Sequence, residues 1–481
     1  MNLRDKAVLI GCAGPTGLVL ALWLTKIGVR VRLVDKAEAA GTTSRALVVH
    51  ARTLEFYRQL GIADEVVAKG FRFPTINLWL QQERIASVSL GDFGQGATPF
   101  PYVLIFPQDE HERLLESHLK NLGVEVERKT ELVDFHSGAD GILAKLKLPS
   151  GEFEECAATY LAGCDGARSR VREVLGTGFE GSTYPDVFYV ADVAGSGPVF
   201  NGELHVGLDE AEFIAVFPLK DPGHARLIGV IREEQGARPT EWKDVNPRIM
   251  KELKIDVHEV RWFSTYHVHH RVASKFKEGP VFLLGDAAHI HSPVGGQGMN
   301  TGIGDAVNLA WKLGEVLHER AGADLLDSFE PERIGFAREL VHTTDQAFRF
   351  ISARGRLARF VRTKIVPTFL PKIFRVHFAG KFLFKMVSQM GITYRHSGRG
   401  EDCAGDLCAG DRLPWVESVN NFAPLSSLTY QVHVYGSTGA GMVNDKYPVH
   451  VFPWHEEMAE KGFKPNGAYL IRPDGYIAKI L

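Results

Sequence analysis

The chain has 481 residues, 45% of them apolar and 23% charged, with a formal net charge of −3. That length supports two or three domains with real cores, and the composition is that of a globular protein. The near-neutral charge excludes a general nucleic-acid binder, and no run of about 18 apolar residues offers a membrane span, so membrane contact is not expected.

Met1 to Lys6 leads straight into an apolar run with no signal-like segment. Five cysteines at irregular spacing argue against a disulfide framework and fit a reducing, cytoplasmic setting. Cys403 and Cys408 are separated by four residues, not by the two of a Cys-x-x-Cys redox pair. No metal set is expected, because His267, His269 and His270 lack helix-face spacing and cysteine partners.

In chain order, Ala7 to Ile10 predicts a buried strand, followed by the turn Gly11-Cys12-Ala13-Gly14-Pro15-Thr16-Gly17 and an apolar helix from Leu18 to Ile27. Val29 to Val34 predicts a second strand ending at Asp35 and Lys36. Strand, glycine turn, helix and strand with a terminal acid form the dinucleotide fingerprint, with pyrophosphate on the helix N-terminus and Asp35 on a ribose hydroxyl. The fingerprint is incomplete: Cys12 stands where the first glycine belongs, and Gly11, one position early, is expected to absorb part of the turn.

Further on come Gly163-Cys164-Asp165-Gly166-Ala167-Arg168-Ser169-Arg170, and then β-type alternation from Tyr184 to Tyr266, as in Val187–Ala191, Phe213–Phe217 and Leu227–Ile231. The apolar run Val281 to Leu284 ends in Gly285-Asp286, and a loop with Pro293, Gly295, Gly296 and Gly298 opens a helix striped by Ile303, Val307, Ala310, Leu313 and Leu317. Asp286 suits sugar-type hydroxyls, and the glycines let backbone approach a ligand. From Gln346 to Gly400 there are twelve Lys and Arg and no acid. That segment reads either as a helical linker against an acidic body or second subunit, or as a basic surface for anionic lipid or an acidic partner.

Three ordered motifs — the N-terminal turn, Gly163 to Arg170, and the Gly285-Asp286 stretch — together resemble the class A flavoprotein aromatic hydroxylases, the group of p-hydroxybenzoate hydroxylase and phenol hydroxylase. Weaker similarity at Ser44-Arg45-Ala46, Arg52-Thr53-Leu54-Glu55 and Pro107-Gln108 extends it over roughly residues 5 to 345. The resemblance implies an α/β fold: a Rossmann-like FAD domain with an inserted β-sheet substrate domain and a small C-terminal thioredoxin-like domain. The expected division is 1–180 and 271–345 for the FAD domain, 181–270 for the substrate sheet, 346–400 for the basic helical linker, and 401–481 for a thioredoxin-like tail without Cys-x-x-Cys.

The same resemblance implies FAD as cofactor, NADPH or NADH as reductant, O2 as co-substrate, a C4a-hydroperoxide on the reduced flavin, and a phenolic or polycyclic aromatic substrate. A homodimer is the assembly it suggests. It assigns Cys12, Ala13, Gly14, Pro15, Thr16, Gly17, Asp35 and Lys36 to the AMP half of FAD, and Arg45 to the pyrophosphate. Gln108, Gly285, Asp286 and Pro293 would meet the ribityl and flavin-loop region, and Gly298, Met299 and Asn300 the pyrimidine edge. Asp165 and Arg168 would serve both FAD and the pyridine nucleotide.

The hard chemistry belongs to the cofactor, so side chains are expected to orient substrate and remove a phenolic proton. In phenol hydroxylase an aspartate does this, but Leu47 stands at the corresponding position. His50 is the candidate base, with backbone bonding at a helix start as its structural alternative, and Tyr266 is a second catalytic candidate. Tyr189 and Phe217 are candidate substrate walls, Arg271 reads as an ion-pair residue, and His289 and His291 as loop-fixing residues. Two other readings stay open: a flavoprotein oxidoreductase without oxygen insertion, and a binding protein whose FAD affinity Cys12 has weakened. A halogenase is disfavoured by the absence of a Trp-x-Trp-x-Ile-Pro segment.

Overall fold

The computed structural model describes residues 8–41, 46–89, 91–138, 141–208, 213–231, 241–245, 247–292, 295–352, 361, 377–395, 402–437 and 446–481. Val8–Gly11 is buried along its whole length, as befits a central parallel strand covered on both faces. It lies between Val31–Asp35 and Tyr160–Gly163, parallel to both, with Gly11 opposite Val34 on one side and Gly163 on the other. Val281–Leu283 and Val126–Arg128 extend the sheet in parallel, and Lys277–Glu278 closes one edge antiparallel. The chain thus leaves the first strand in both directions, which opens a crevice at the carboxyl ends, where Cys12, Asp35, Cys164 and Gly285 all stand.

The helix Pro15–Lys26 begins three residues before the expected Leu18, because Pro15 fits the first turn, where no N–H is needed. Gly17 to Leu24 are all buried, since the helix is wedged between the sheet and the helix Gly298–Leu317.

The alternating segments form an eight-stranded mixed sheet built on two strands of 18 residues, Phe179–Ser196 and Asp256–Ala273. It is not confined to 181–270. Thr75–Leu80 and Glu83–Ser89 extend one end, with Thr75–Leu80 parallel to Leu204–Leu208, and His289–Ile290 extends the other. An isolated alternating segment does not announce which distant strand it will pair with, so those additions were invisible in the sequence.

The outer face of this sheet packs Trp79, Tyr189, Ala191, Val193, Ile214, Val216 and Leu227 beneath Val245, Met250 and Leu253. The inner face gathers Tyr184, Phe188, Val230, Val268, Phe213 and Tyr266, and next to them Ala215 and Phe217 meet Leu47 and Val48 of the parallel-sheet domain.

The tail forms a four-stranded mixed sheet, ordered Val449–Phe452, Gln431–Tyr435, Gly467–Ile471, Ile477–Ile480, with Trp415, Tyr435, Phe452, Phe463 and Tyr469 in its core. A disulfide joins Cys403 to Cys408, against the expectation of none. The spacing concealed it because the two residues face each other directly across a minimal hairpin.

The tail is held to the body by buried ions. Arg472 donates to both Glu332 oxygens at 2.9 Å, Lys312 donates to Glu332 at 3.0 Å, and Arg412 joins Glu55 beside Arg52. The helix Phe329–Ser352 runs into the basic segment and His377–Val387 lies within it, whereas Pro367, Pro371 and most of the segment's cations lie outside the described residues. Among the described residues no helix is long and apolar enough to cross a membrane, and no group of three or more His, Cys, Asp or Glu is disposed to hold a metal.

Candidate active site

The first turn departs from expectation in one particular. Gly11 stays in the strand, and Cys12 itself takes the left-handed conformation, at φ +90°. A side chain there costs about 1–2 kcal/mol. Its thiol lies 3.5 Å from Asp35 Oδ2, which also accepts the Ala13 amide at 2.7 Å, while Oδ1 accepts Ala37 at 2.7 Å. Burial, reinforced by the Asp35 charge, pushes the Cys12 thiol up to about 12, so it is no nucleophile at neutral pH. Gly17 packs against the Cys12 carbonyl, too close for any side chain. Gly14 is different: a Cβ built there meets nothing within 4 Å, and the helix has no side-chain N-cap. Open space therefore lies over helix amides, as an anionic group such as pyrophosphate requires. Lys36 is exposed, directly after the strand Val31–Asp35.

The third motif closes onto the first. Gly285 is left-handed at φ +57°, and a Cβ there would stand 2.8 Å from Thr16 Oγ1. A Cβ on Gly302 would stand 3.1 Å from Gly285 Cα, so Thr16, Gly285 and Gly302 meet as one contact. Asp286 projects from this turn and is exposed, as a hydroxyl-binding carboxylate must be. Gly298 starts the following helix with room in front of it, its nearest neighbour being His291 Nε2 at 3.9 Å from a built Cβ. That nitrogen and His50 Nδ1 are buried with no hydrogen-bond partner among the described residues. The open glycines, the exposed acid and these two waiting nitrogens fit a large polar cofactor. Met299 is half-buried against the core.

Asn300 is fully used by the chain. Its oxygen accepts the His50 amide at 2.9 Å and the Thr53 hydroxyl at 2.8 Å, and its nitrogen donates to the carbonyls of Val48 and Gly296. It staples the flavin-loop segment to residues 48–53 rather than offering its amide to a ligand. Asp165 is likewise spent locally, accepting Ser169 Oγ and the amides of Arg170 and Val171 at the start of Arg170–Leu175, while Arg168 is exposed. Gln108 opens its helix against Ala46 and donates to Glu112 at 2.8 Å. Arg45 and Pro293 lie outside the described residues.

His50 does not sit as a general base. It is fully buried, Nε2 meets Gly295 O at 3.0 Å, and burial lowers it to about 4, so it resists taking a proton. The helix-start alternative is the one the geometry favours. Tyr189 is on the wrong side of the sheet, stacked on Phe263 in the outer core, because it falls out of phase with Phe188. Tyr266 and Phe217 are on the inner face. His289 and His291 do fix the loop, through Asp305 at 2.8 Å and Ser292 O at 2.8 Å.

Two groups escaped the sequence reading. Asp305 is a lone acid within the apolar stripe of its helix, a signal that was available. Tyr184, Asp345 and His270 form a cluster that only strand register assembles: Tyr184 donates to Asp345, His270 Nδ1 lies 3.8 Å from the same carboxylate, and His270 Nε2 meets Ser182 Oγ at 2.8 Å.

A dinucleotide fingerprint closed by a glycine-acid turn, with an aromatic-faced sheet above it, defines a flavin-dependent monooxygenase scaffold. The chain matches the family described as FAD binding domain over residues 5–344. It is 36% identical over 357 residues to a 6-methylpretetramide 4-monooxygenase of Streptomyces rimosus, a match covering 73% of this chain and 63% of that relative. It is 33% identical to pentachlorophenol 4-monooxygenase of Sphingobium chlorophenolicum, covering 86% of this chain and 76% of the relative. The anhydrotetracycline hydroxylase OxyS of Streptomyces rimosus superimposes with a TM-score of 0.77 at 28% identity, over 98% of this chain and 95% of that one. The chain belongs to this FAD-binding family and, within it, to the flavoprotein aromatic hydroxylases.

Proposed function

We propose that the protein consumes NADPH or NADH and O2 to hydroxylate a phenolic or polycyclic aromatic compound held against the inner face of the eight-stranded sheet. The observation that carries this reading is that the glycine loop meets the aromatic face: a Cβ on Gly296 would stand 2.8 Å from Val48, which packs in one cluster with Phe213 and Phe217, next to Phe188 and Tyr266. Bound FAD would supply oxygen activation; the chain would supply orientation, water exclusion and proton management. Gly14 and the first helix would seat the pyrophosphate, Asp286 the ribityl hydroxyls, and the Gly298 turn the ring's polar edge. The four-stranded tail, thioredoxin-like in this reading, would be structural, as it offers no Cys-x-x-Cys pair.

His50 is replaced in this reading as the proton acceptor. Tyr184 borders the aromatic face and its hydroxyl is bonded to Asp345, with His270 Nδ1 3.8 Å from the same carboxylate and His270 Nε2 meeting the exposed Ser182. A phenolic proton passing to Tyr184 as its own proton moves to Asp345 would leave the phenolate in the pocket and the proton on the Asp345 carboxyl. The test is direct. Protein loaded with FAD is given NADPH or NADH, isotopic oxygen and a panel of phenols and polycyclic aromatics. Faster reductant oxidation with one labelled oxygen in the product supports the reading; oxidation without incorporation supports the oxidoreductase alternative and overturns it.

A further inference from the structure

Asp305 is 1% exposed and every polar contact it makes serves another part of the chain. Oδ2 accepts the Gly285 amide at 2.9 Å and His289 Nε2 at 2.8 Å, which fixes the turn from which Asp286 projects. Oδ1 accepts Arg333 Nε at 2.6 Å. Arg333, also 1% exposed, donates onward to the Thr301 carbonyl at 3.2 Å and to the Tyr394 hydroxyl at 2.9 Å. Tyr394 stands just ahead of the tail and is lodged against it. Its amide donates to Gly410 O at 2.8 Å, its ring lies 4.5 Å from that of Tyr476, and the Arg472 guanidinium sits 5.1 Å from its centroid. An unbroken line of buried hydrogen bonds therefore runs from the C-terminal unit to the Gly285 turn.

We propose that Asp305, Arg333 and Tyr394 are positioning residues through which the docked C-terminal unit sets the Gly285–Asp286 turn and thereby the affinity for FAD. This rests on the reading that Asp286 meets the cofactor. Buried charges of this kind have few alternative arrangements: removing one partner strands another in apolar surroundings, so the turn follows whatever Arg333 is given to bind. The tail, without a Cys-x-x-Cys pair, acquires a task in this account: it completes the cofactor site from a distance.

The experiment titrates FAD into apoprotein, following flavin fluorescence, for the unaltered chain and for Tyr394→Phe, Asp305→Asn and Asp286→Ala, with hydrogen exchange read on the peptide that carries Gly285. Tyr394→Phe removes a single hydroxyl and is the variant least prone to misfolding. It is expected to weaken FAD about tenfold and to speed exchange at Gly285. The pair Tyr394→Phe with Asp305→Asn is expected to cost no more than Asp305→Asn alone, because the two act in series. A purely architectural role would lower the melting temperature and leave both the FAD dissociation constant and Gly285 exchange unmoved; that result overturns the proposal. If Asp286→Ala also leaves FAD affinity unchanged, the cofactor reading itself falls. If Asp286→Ala weakens binding while Tyr394→Phe does not, only the coupling falls.

Discussion

Thr16 and Gly285 come from opposite ends of the FAD domain, yet a methyl group on Gly285 would stand 2.8 Å from the Thr16 hydroxyl oxygen. The dinucleotide turn and the Gly285-Asp286 turn are thereby locked to one another by contact, and neither can shift without the other. Gly285→Ala should therefore destabilise the protein by about 2 kcal/mol, from overpacking and from a φ of +57° that alanine adopts poorly. Thr16→Ala added to it should restore part of the loss, since only the collision is relieved. Thermal melting of the three variants checks this.

Cys12 already holds φ +90°, so its conformational cost belongs to folding and not to cofactor binding. Cys12→Gly is expected to raise stability by about 1 kcal/mol, seen as a higher melting temperature, with the FAD dissociation constant unchanged. A tightened FAD complex would instead show that the turn is strained only when the cofactor arrives.

Five buried histidines set the acid limit. Burial holds His50, His205 and His291 at about 4 and His111 and His433 at about 3, below the ordinary 6.5. The folded rings stay neutral while the unfolded chain takes up protons, so their stability is fully present above pH 6.5 and is lost as pH falls towards 4. Melting temperatures measured from about pH 7 to 4.5 should fall steeply, and His111→Gln, which removes one such ring, should flatten the slope.

Phe217 and Tyr189 separate the two faces of the sheet. Phe217→Ala is expected to raise KM for an aromatic substrate about tenfold, because apolar wall area is lost. Tyr189→Phe should leave KM and kcat within twofold or so, its ring being in the outer core. Steady-state kinetics with any substrate that shows oxygen incorporation decides between them.

What the sequence disclosed follows a physical division. Local patterns were legible: Val8–Gly11, Gln431–Tyr435 and the helix after Gly298 each announce themselves through burial periodicity or turn residues within a dozen positions. Phase was not. Tyr189 and Phe188 are neighbours in a run of apolar residues, and only pairing with Gly229 and Val230 decides which of them looks inward. Polar partnerships across long separations were equally hidden. Nothing near His50 signals that Gly295 will take its imidazole, and nothing near Glu332 announces Arg472. Asp305 was the missed opportunity, since an acid among Ile303, Ala306, Val307 and Leu309 demands a buried cation.

The paired charges beneath the tail carry a lesson for engineering. Glu332 and Lys312 of the body interlock with Arg472 and Asp474 of the tail as one buried set of two anions and two cations. Grafting the tail of one such hydroxylase onto the body of another would bring mismatched ions into a dry seam. Swaps that keep this seam's residues as a matched set should yield folded chimaeras, and swaps cut through it should not.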